Sequence, residues 1–205
     1  KRQVQMSVRL VRLKRRKSRM NIMIVGVGGQ GTLLASRILG KVAIKEGYDV
    51  KVSEVHGMSQ RGGSVVTYVK YGDKVYSPII DRGEADLILA FEMLEAMRAL
   101  PYLKKGGKMI ANTQKMNPMP VITGAMEYPE NIEEKLSAKI NLQAVDALSL
   151  AEKAGTIKAV NVVLIGLLAK SMDVDKNVWI DVIKETVPEK FLDVNIKAFE
   201  LGYEL

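Results

Sequence analysis

A glycine-rich turn between an apolar strand and an amphipathic helix most constrains the fold of this chain. The run Ile22-Met23-Ile24-Val25 is continuously apolar, as expected for a central parallel strand that is covered on both faces. The turn Gly26-Val27-Gly28-Gly29-Gln30-Gly31 follows directly, and Leu34, Ile38 and Val42 then recur every four residues. The pattern predicts a strand, a tight turn and a helix, which is the opening unit of an α/β domain.

The remaining apolar runs predict a mixed sheet followed by helices. Strands are predicted at residues 49–54, 64–70, 74–76, 86–91, 108–111 and 140–145. The segment Tyr71-Gly72-Asp73 indicates a hairpin between the predicted strands at residues 64–70 and 74–76. No crossover helix is predicted between residues 54 and 64. Helices are predicted at residues 92–100, 132–139, 147–154, 160–172, 177–186 and 189–201. We therefore predict an α/β fold: a three-layer, Rossmann-like domain with a mostly parallel but mixed sheet and a helical C-terminal layer.

Positive charge is concentrated at the start of the chain. The net charge is +8, and nine of the 31 Lys and Arg residues lie in residues 1–19, which leaves 22 basic against 23 acidic residues elsewhere. We expect residues 1–19 to be a basic extension, disordered or non-native, and residues 20–205 to form a single domain that starts at Met20. The alternative is an arm that binds RNA or an anionic membrane. Because the rest of the chain is nearly neutral, we expect neither nucleic acid nor membrane as a partner.

The composition also bears on metals and location. The sequence contains no Cys and therefore no thiolate ligands for zinc or iron–sulfur clusters, and His56 is its one histidine. The longest apolar stretch, Ala159 to Ala169, contains Asn161 and is shorter than the roughly 20 residues of a membrane helix. We expect a cytoplasmic protein without a metal site of its own.

The glycine turn has the spacing of a dinucleotide-binding site. Gly26, Gly28 and Gly31 match G-x-G-x-x-G, in which glycines allow a tight turn and helix N–H groups face an anion. Glu54 ends the second predicted strand, where an acid binds ribose in such sites. A free-standing NAD(P)-dependent oxidoreductase is therefore an alternative, but the missing crossover helix argues against it. The glycines are also compatible with close helix packing alone.

A second glycine-rich segment, Val55 to Ser64, follows the second strand. Within it Arg61, beside Gln60 and the pair Gly62-Gly63, is the best candidate for binding a phosphate or carboxylate. The alternative is that its guanidinium bonds carbonyl groups of its own loop. The position of His56 suits a general acid, a ligand contact or a hydrogen-bonded structural residue, and no residue is assigned as catalytic.

Taken together, the glycine turn and the segment Ser53-Glu54-Val55-His56-Gly57-Met58-Ser59-Gln60-Arg61-Gly62-Gly63-Ser64-Val65 resemble the beta-subunit family of indolepyruvate:ferredoxin oxidoreductases. The resemblance extends from about Met20 to Leu205. This family is similar to the gamma-type domain of 2-oxoacid:ferredoxin oxidoreductases, which also act on pyruvate, branched-chain 2-oxoacids and 2-oxoglutarate. The stretch from His56 to Arg61 resembles the indolepyruvate branch, which implies an aryl-pyruvate substrate.

The resemblance implies a subunit that is not catalytic alone. It implies oxidative decarboxylation of a 2-oxoacid to an acyl-CoA, with coenzyme A as co-substrate and ferredoxin as electron acceptor. Thiamine diphosphate, magnesium and iron–sulfur clusters are then expected on a larger alpha subunit, and this chain is expected in a hetero-oligomer, or as a dimer when isolated. The residues predicted to line the substrate, coenzyme or subunit-interface site are Gly26, Gly28, Gly29, Gln30, Gly31, Glu54, His56, Gly57, Met58, Ser59, Gln60, Arg61, Gly62, Gly63 and Ser64.

Overall fold

In the computed structural model, which describes residues 19–57 and 62–205, a six-stranded sheet lies between two layers of helices. The strands are β1 (Met20–Val27), β2 (Asp49–His56), β3 (Ser64–Gly72), β4 (Ala85–Ala90), β5 (Leu103–Asn112) and β6 (Asn141–Val145). The helices are α1 (Thr32–Lys45), α2 (Met93–Ala99), α3 (Met119–Ile122), α4 (Ile132–Ser137), α5 (Ala147–Ala154), α6 (Val160–Lys170), α7 (Lys176–Thr186) and α8 (Leu192–Tyr203). Short 3₁₀ turns lie at Leu100–Tyr102, Ile157–Ala159 and Glu189–Phe191.

The sheet is mixed, with strand order β2-β3-β1-β4-β5-β6. Strands β1, β4, β5 and β6 run parallel, whereas β3 is antiparallel to both β1 and β2. The predicted α/β class and the mixed, mostly parallel sheet are confirmed. The β2–β3 hairpin occupies one edge. Because β3 is antiparallel to β1, it begins at the end of the sheet where the parallel strands have their carboxyl ends.

Strand β1 is buried on both faces because helices cover both sides of the sheet. Ile22 and Ile24 contact the core beneath α1 and the C-terminal helices, while Met23 and Val25 contact the core beneath α2 and α4. This alternation follows from the two-residue period of a strand. It explains why the sequence of β1 is continuously apolar, and it yields the three predicted layers.

The predicted helical C-terminal layer is present and tightly packed. In α6, all residues from Val160 to Ala169 are buried. Helices α6 and α8 approach so closely that a Cβ atom on Gly166 would overlap the carbonyl oxygen of Phe199, and one on Gly202 would overlap that of Val163. These glycines set the distance between the two helices.

The predicted hairpin around Tyr71-Gly72-Asp73 is wrong. Strand β3 continues to Gly72, which pairs with Asp49 of β2, and the chain then leaves the sheet. The amide nitrogen of Val75 donates to the Asp49 carboxylate at 2.9 Å instead of pairing with a strand. The hairpin is formed by β2 and β3 instead, and β2 extends through Val55 and His56, which were predicted to lie in the loop.

The other predicted strands and helices are found within about three residues of their expected bounds, except that β5 begins five residues before the predicted strand at 108–111. Helix α3 was not predicted. Residues 1–18, which make up nearly all of the predicted basic extension, lie outside the described residues. Across residues 19–57 and 62–205, no helix combines the length and the apolar character needed to span a bilayer.

Candidate functional site

The two glycine-rich segments are joined by backbone hydrogen bonds. The amide nitrogen of Gly28 donates to the carbonyl oxygen of Gly63 at 2.8 Å, and that of Gly62 donates to the oxygen of Gly28 at 3.4 Å. Strands β1 and β2 are not neighbours in the sheet, because β3 lies between them. The loop reaches the turn since β3 begins beside the end of β1, where Val27 pairs with Ser64.

Two glycines of the turn are required by packing. Gly31 has a φ of 83°, and a Cβ atom there would lie 2.6 Å from Nδ2 of Asn161, which itself donates to the Gly31 carbonyl at 3.3 Å. A Cβ on Gly26 would lie 3.0 Å from Cβ of Phe91. Gly29, with a φ of 103°, has open space where its side chain would be. The packing role therefore applies to Gly26 and Gly31, whereas Gly29 is open to a ligand.

Gln30 holds the turn in shape. Its Oε1 accepts a hydrogen bond from the Val27 amide at 2.7 Å, and its Nε2 donates to the Phe91 carbonyl at 3.1 Å. The same Nε2 lies 3.4 Å from Oε1 of Gln114, which follows β5. The side chain thus bridges the ends of β1, β4 and β5. Gln30 also lines the larger cleft described below, and its predicted place among the site residues stays a prediction.

The start of α1 places backbone N–H groups at this turn. Gly31 is its N-cap and provides no side-chain hydrogen bond, and the first turn has no acidic residue. The first N–H groups of a helix have no partners within the helix, and the helix dipole makes this end positive. The arrangement suits a negatively charged group.

Clefts lie on both sides of the glycine turn. One, of about 270 Å³, is lined by Gly28, Gly29, Gly31, Thr32, Leu33, Glu54, His56 and Val65. The other, of about 490 Å³, is lined by Gly28, Gly29, Gln30, Gly31, Gln114, Met116, Leu148, Ile157, Lys158 and Val160. The second volume falls within the range of about 300–1,000 Å³ that small-molecule sites occupy.

The structure brings Glu54 and His56 to the first cleft, next to the turn. Glu54 accepts a hydrogen bond from the Thr67 hydroxyl at 3.2 Å, and the exposed His56 has Nδ1 3.1 Å from the carbonyl oxygen of Gly57. Both therefore belong to the predicted site region. Met58, Ser59, Gln60 and Arg61 lie outside the described residues, and an anion contact by Arg61 stays a prediction.

Ser64 connects the hairpin to a buried carboxylate that the sequence patterns did not single out. Its hydroxyl donates to Oε2 of Glu95 at 2.6 Å, and Arg98 forms a 2.6 Å ion pair with Oε1 of the same carboxylate. Glu95 is buried in α2. The C-terminal end of the hairpin loop is thereby tied to the helix that covers the opposite face of the sheet.

Glu92 is a second buried carboxylate that organises this edge. It is the N-cap of α2, and its Oε2 accepts from the Glu95 amide at 2.9 Å. Its Oε1 accepts from the Met116 amide at 3.0 Å and from the Tyr128 hydroxyl at 2.6 Å. Burial, and then the bond to Glu92, raise the pKa of the Tyr128 phenol above its usual range. The sequence signal that could have identified Glu92 was its position as an acidic residue directly after a predicted buried strand.

The described residues offer little to hold a metal or a cluster. Within residues 19–57 and 62–205, no three His, Cys, Asp or Glu side chains converge in a way that fits a metal ion. The site consists instead of backbone donors at the turn, the two clefts and a few polar side chains. Groups of this kind are suited to binding and orienting a ligand.

The fold is an α/β domain whose glycine turn lies at the carboxyl ends of parallel strands, the place where open α/β sheets commonly bind ligands. Residues 21–205 match the family model described as "Pyruvate ferredoxin/flavodoxin oxidoreductase". The chain belongs to this family. The family assignment agrees with the resemblance that the paired glycine segments predicted.

Curated relatives support the same assignment. The chain is 46% identical to "Indolepyruvate oxidoreductase subunit IorB" of Thermococcus kodakarensis and 47% identical to the protein of that name from Pyrococcus horikoshii, covering 89% of this chain and 93% of each relative. It is 29% identical to "Pyruvate/ketoisovalerate oxidoreductases common subunit gamma" of T. kodakarensis, over 87% of this chain and 92% of that one. The predicted resemblance to the indolepyruvate branch is confirmed.

Solved structures share the fold. A keto/oxoacid ferredoxin oxidoreductase gamma subunit from Geobacter sulfurreducens aligns with a TM-score of 0.67 and 25% identity, covering 90% of this chain and 96% of that one. The pyruvate oxidoreductase subunit PORC of Thermotoga maritima aligns with a TM-score of 0.71 and 21% identity, covering 92% and 97% of the two chains. The second likeness is evidence for the fold alone.

Proposed function

We propose that this chain is the non-cluster subunit of an indolepyruvate:ferredoxin oxidoreductase. The complex oxidatively decarboxylates indolepyruvate and other aryl pyruvates to the aryl-acetyl-CoA and passes the electrons to ferredoxin. The observation that carries the proposal is the 46–47% identity to indolepyruvate oxidoreductase subunits over 89% of the chain. Identity to the common gamma subunit of pyruvate and ketoisovalerate enzymes is much lower, at 29%. This difference favours an aryl pyruvate over pyruvate.

The reactive cofactors belong to a larger alpha subunit in this proposal. Thiamine diphosphate with magnesium supplies the decarboxylation chemistry when bound, and iron–sulfur clusters carry the electrons. This sequence has no Cys for a cluster, and its described residues do not converge on a metal site. In this proposal the chain's own role is to bind the ligand and the partner subunit. A cytoplasmic location stays a prediction.

The chain's own residues contribute a binding edge. The uncapped start of α1 and the open backbone at Gly29 face ligand-sized space. Gln30 and the Gly28–Gly63 hydrogen bond keep that backbone in one conformation. We infer that this edge orients the negatively charged part of the substrate or of coenzyme A, with Arg61 contributing a second positive group. Holding a reactant in place lowers the entropic cost of reaction.

Co-expression with the larger subunit tests the proposal. The purified complex is expected to reduce ferredoxin in a reaction that requires both indolepyruvate and coenzyme A, with a higher kcat/KM for indolepyruvate than for pyruvate, and neither subunit is expected to react alone. Preference for pyruvate or 2-oxoisovalerate would overturn the substrate assignment. Failure of the two chains to co-purify would overturn the subunit assignment.

An NAD(P)-dependent oxidoreductase is the second candidate, because Glu54 and the glycine turn line one cleft. In a dinucleotide-binding fold, the acid ends the strand next to β1. Here β3 lies between β1 and β2, which displaces Glu54 by one further strand spacing of about 4.8 Å. Fluorescence titration of the isolated chain with NADH distinguishes the candidates: micromolar binding favours this second one, and no binding favours the complex subunit.

A further inference from the structure

Residues 116–128, here called the apolar loop, form an exposed segment that the proposed function does not use. The loop carries Met119, Ile122 and Met126, whose exposed fractions are 66%, 64% and 65%. No charged residue occurs between Lys115 and Glu127. Clustered apolar surface that lacks charge is typical of the centre of a protein–protein interface, where Met is also enriched.

Hydrogen bonds within the apolar loop bring together the backbone segments that carry these three side chains. Met119 and Ile122 are three residues apart on α3 and so share a face of that helical turn. The amide of Met126 donates to the carbonyl of Pro120 at 3.0 Å, which folds the second half of the loop back onto α3. The amide of Thr123 donates to the Met119 carbonyl at 2.9 Å. The apolar side chains are thus displayed by a preorganised backbone, which lowers the entropic cost of binding.

Both ends of the apolar loop are fixed to one buried atom. Oε1 of Glu92 accepts hydrogen bonds from the Met116 amide at 3.0 Å and the Tyr128 hydroxyl at 2.6 Å. Glu92 is itself held at the start of α2, where β4 ends. The loop has closely spaced ends and is anchored to the carboxyl end of the sheet.

The apolar loop stands at the same edge as the glycine site. Met116, its first residue, lines the larger cleft together with the turn from Gly28 to Gly31. This edge faces the larger subunit in the proposed function, because the reactive cofactors reach the ligand from that subunit. The surface next to the site is therefore the surface that the larger subunit covers.

We propose that the apolar loop is a docking element for the larger subunit, which receives Met119, Ile122 and Met126 in an uncharged apolar recess. This inference rests on the proposed function, since the larger subunit is the partner. It adds to the proposed function the surface that joins the two chains and the apolar character of the matching surface on the larger subunit. A second copy of this chain is the competing occupant.

A triple variant with matched controls tests the docking surface. The change Met119→Ser, Ile122→Ser and Met126→Ser is expected to weaken binding to the immobilised larger subunit by at least about tenfold, because central apolar residues dominate interface energies. Ile44→Ser is the control, because Ile44 is 61% exposed on α1, away from this loop. The control is expected to bind like wild type. Ile122→Glu alone is a second variant in case the triple variant folds poorly, which circular dichroism reveals.

The outcomes separate the two proposals. If the wild-type chain does not bind the larger subunit, the proposed function is wrong and this inference falls with it. If wild type binds and both loop variants bind equally well, only the docking inference is overturned. If the loop variants lose self-association in light scattering but still bind the larger subunit, the occupant is a second copy, and the inference is again overturned.

Discussion

Gly28 and Gly63 are hydrogen-bonded through their backbones, with the Gly28 amide 2.8 Å from the Gly63 carbonyl oxygen. These two residues lie in separate glycine-rich segments that β2 and α1 keep apart in the sequence. The contact joins the turn after β1 to the residues directly before β3. Changes in either segment are therefore expected to affect the other.

Replacement of Gly31 by Ala is expected to destabilise the chain by about 2–4 kcal/mol, because a left-handed backbone disfavours a side chain and a new Cβ would press on Asn161. Gly29→Ala is the matched control. It has the left-handed strain without the contact, so a cost of about 1–2 kcal/mol is expected. Urea denaturation measures both values. Equal costs for the two variants would contradict the packing role of Gly31.

Replacement of Gly166 by Ala is expected to separate α6 from α8 and to cost about 3 kcal/mol or more, because the added methyl group overlaps the Phe199 carbonyl. Gly40→Ala in α1 is the control. Its Cβ would make an ordinary contact 3.6 Å from Val52, and Ala is about 1 kcal/mol better than Gly inside a helix. Thermal unfolding is the measurement, and an unchanged melting temperature for the Gly166 variant would show that the helices adjust.

Tyr128→Phe is expected to cost about 1–3 kcal/mol at neutral pH, because it removes one donor from the buried Glu92 carboxylate. The folded protein raises the pKa of Tyr128, so its stabilising contribution is complete below the unfolded pKa of about 10 and declines as pH rises toward the folded value. As pH rises above about 10, the Tyr128→Phe variant is therefore expected to lose less free energy of unfolding than wild type. Parallel denaturation curves at neutral and alkaline pH test this difference, and identical alkaline losses would contradict it.

Arg61→Ala in the reconstituted complex is expected to raise KM for coenzyme A or the 2-oxoacid by about tenfold or more, since a charge-assisted hydrogen bond contributes about 1.5–3 kcal/mol. Arg61→Lys retains the charge but not the forked geometry, so it should recover part of the loss. Steady-state kinetics with each substrate varied separately identifies which ligand is affected. Unchanged kinetics in both variants would exclude Arg61 from the binding site.

Several elements of the fold could be predicted from the sequence because their determinants are local. The apolar run before Gly26 predicts a strand covered on both faces, and the four-residue spacing after Gly31 predicts α1. Asn161 is recognisable in the sequence as a polar residue in an otherwise apolar helix, but the sequence does not identify its hydrogen-bond partner. Its amide donates to the Gly31 carbonyl across 130 positions of sequence, and no spacing rule predicts such a contact.

The hairpin prediction failed because it, too, depended on contacts between residues far apart in the sequence. Tyr71-Gly72-Asp73 has turn chemistry, but Gly72 is held in β3 by its pairing with Asp49, and the Asp49 carboxylate accepts the Val75 amide. A tertiary partner therefore replaced the local turn. Glu92 and Glu95 were missed because a buried carboxylate is recognised by the donors around it, and three of those donors, from Ser64, Met116 and Tyr128, come from distant segments.

The sequence by itself determined the α/β class, the glycine turn at the start of α1 and the resemblance to 2-oxoacid:ferredoxin oxidoreductase subunits, because these depend on residue types at short spacings. The tertiary structure alone decided the strand order, the contact between Gly28 and Gly63 and the anchoring of the apolar loop on Glu92. Each of these depends on hydrogen bonds between residues far apart in the chain. Such bonds form only when the whole sheet and both of its helical layers have assembled.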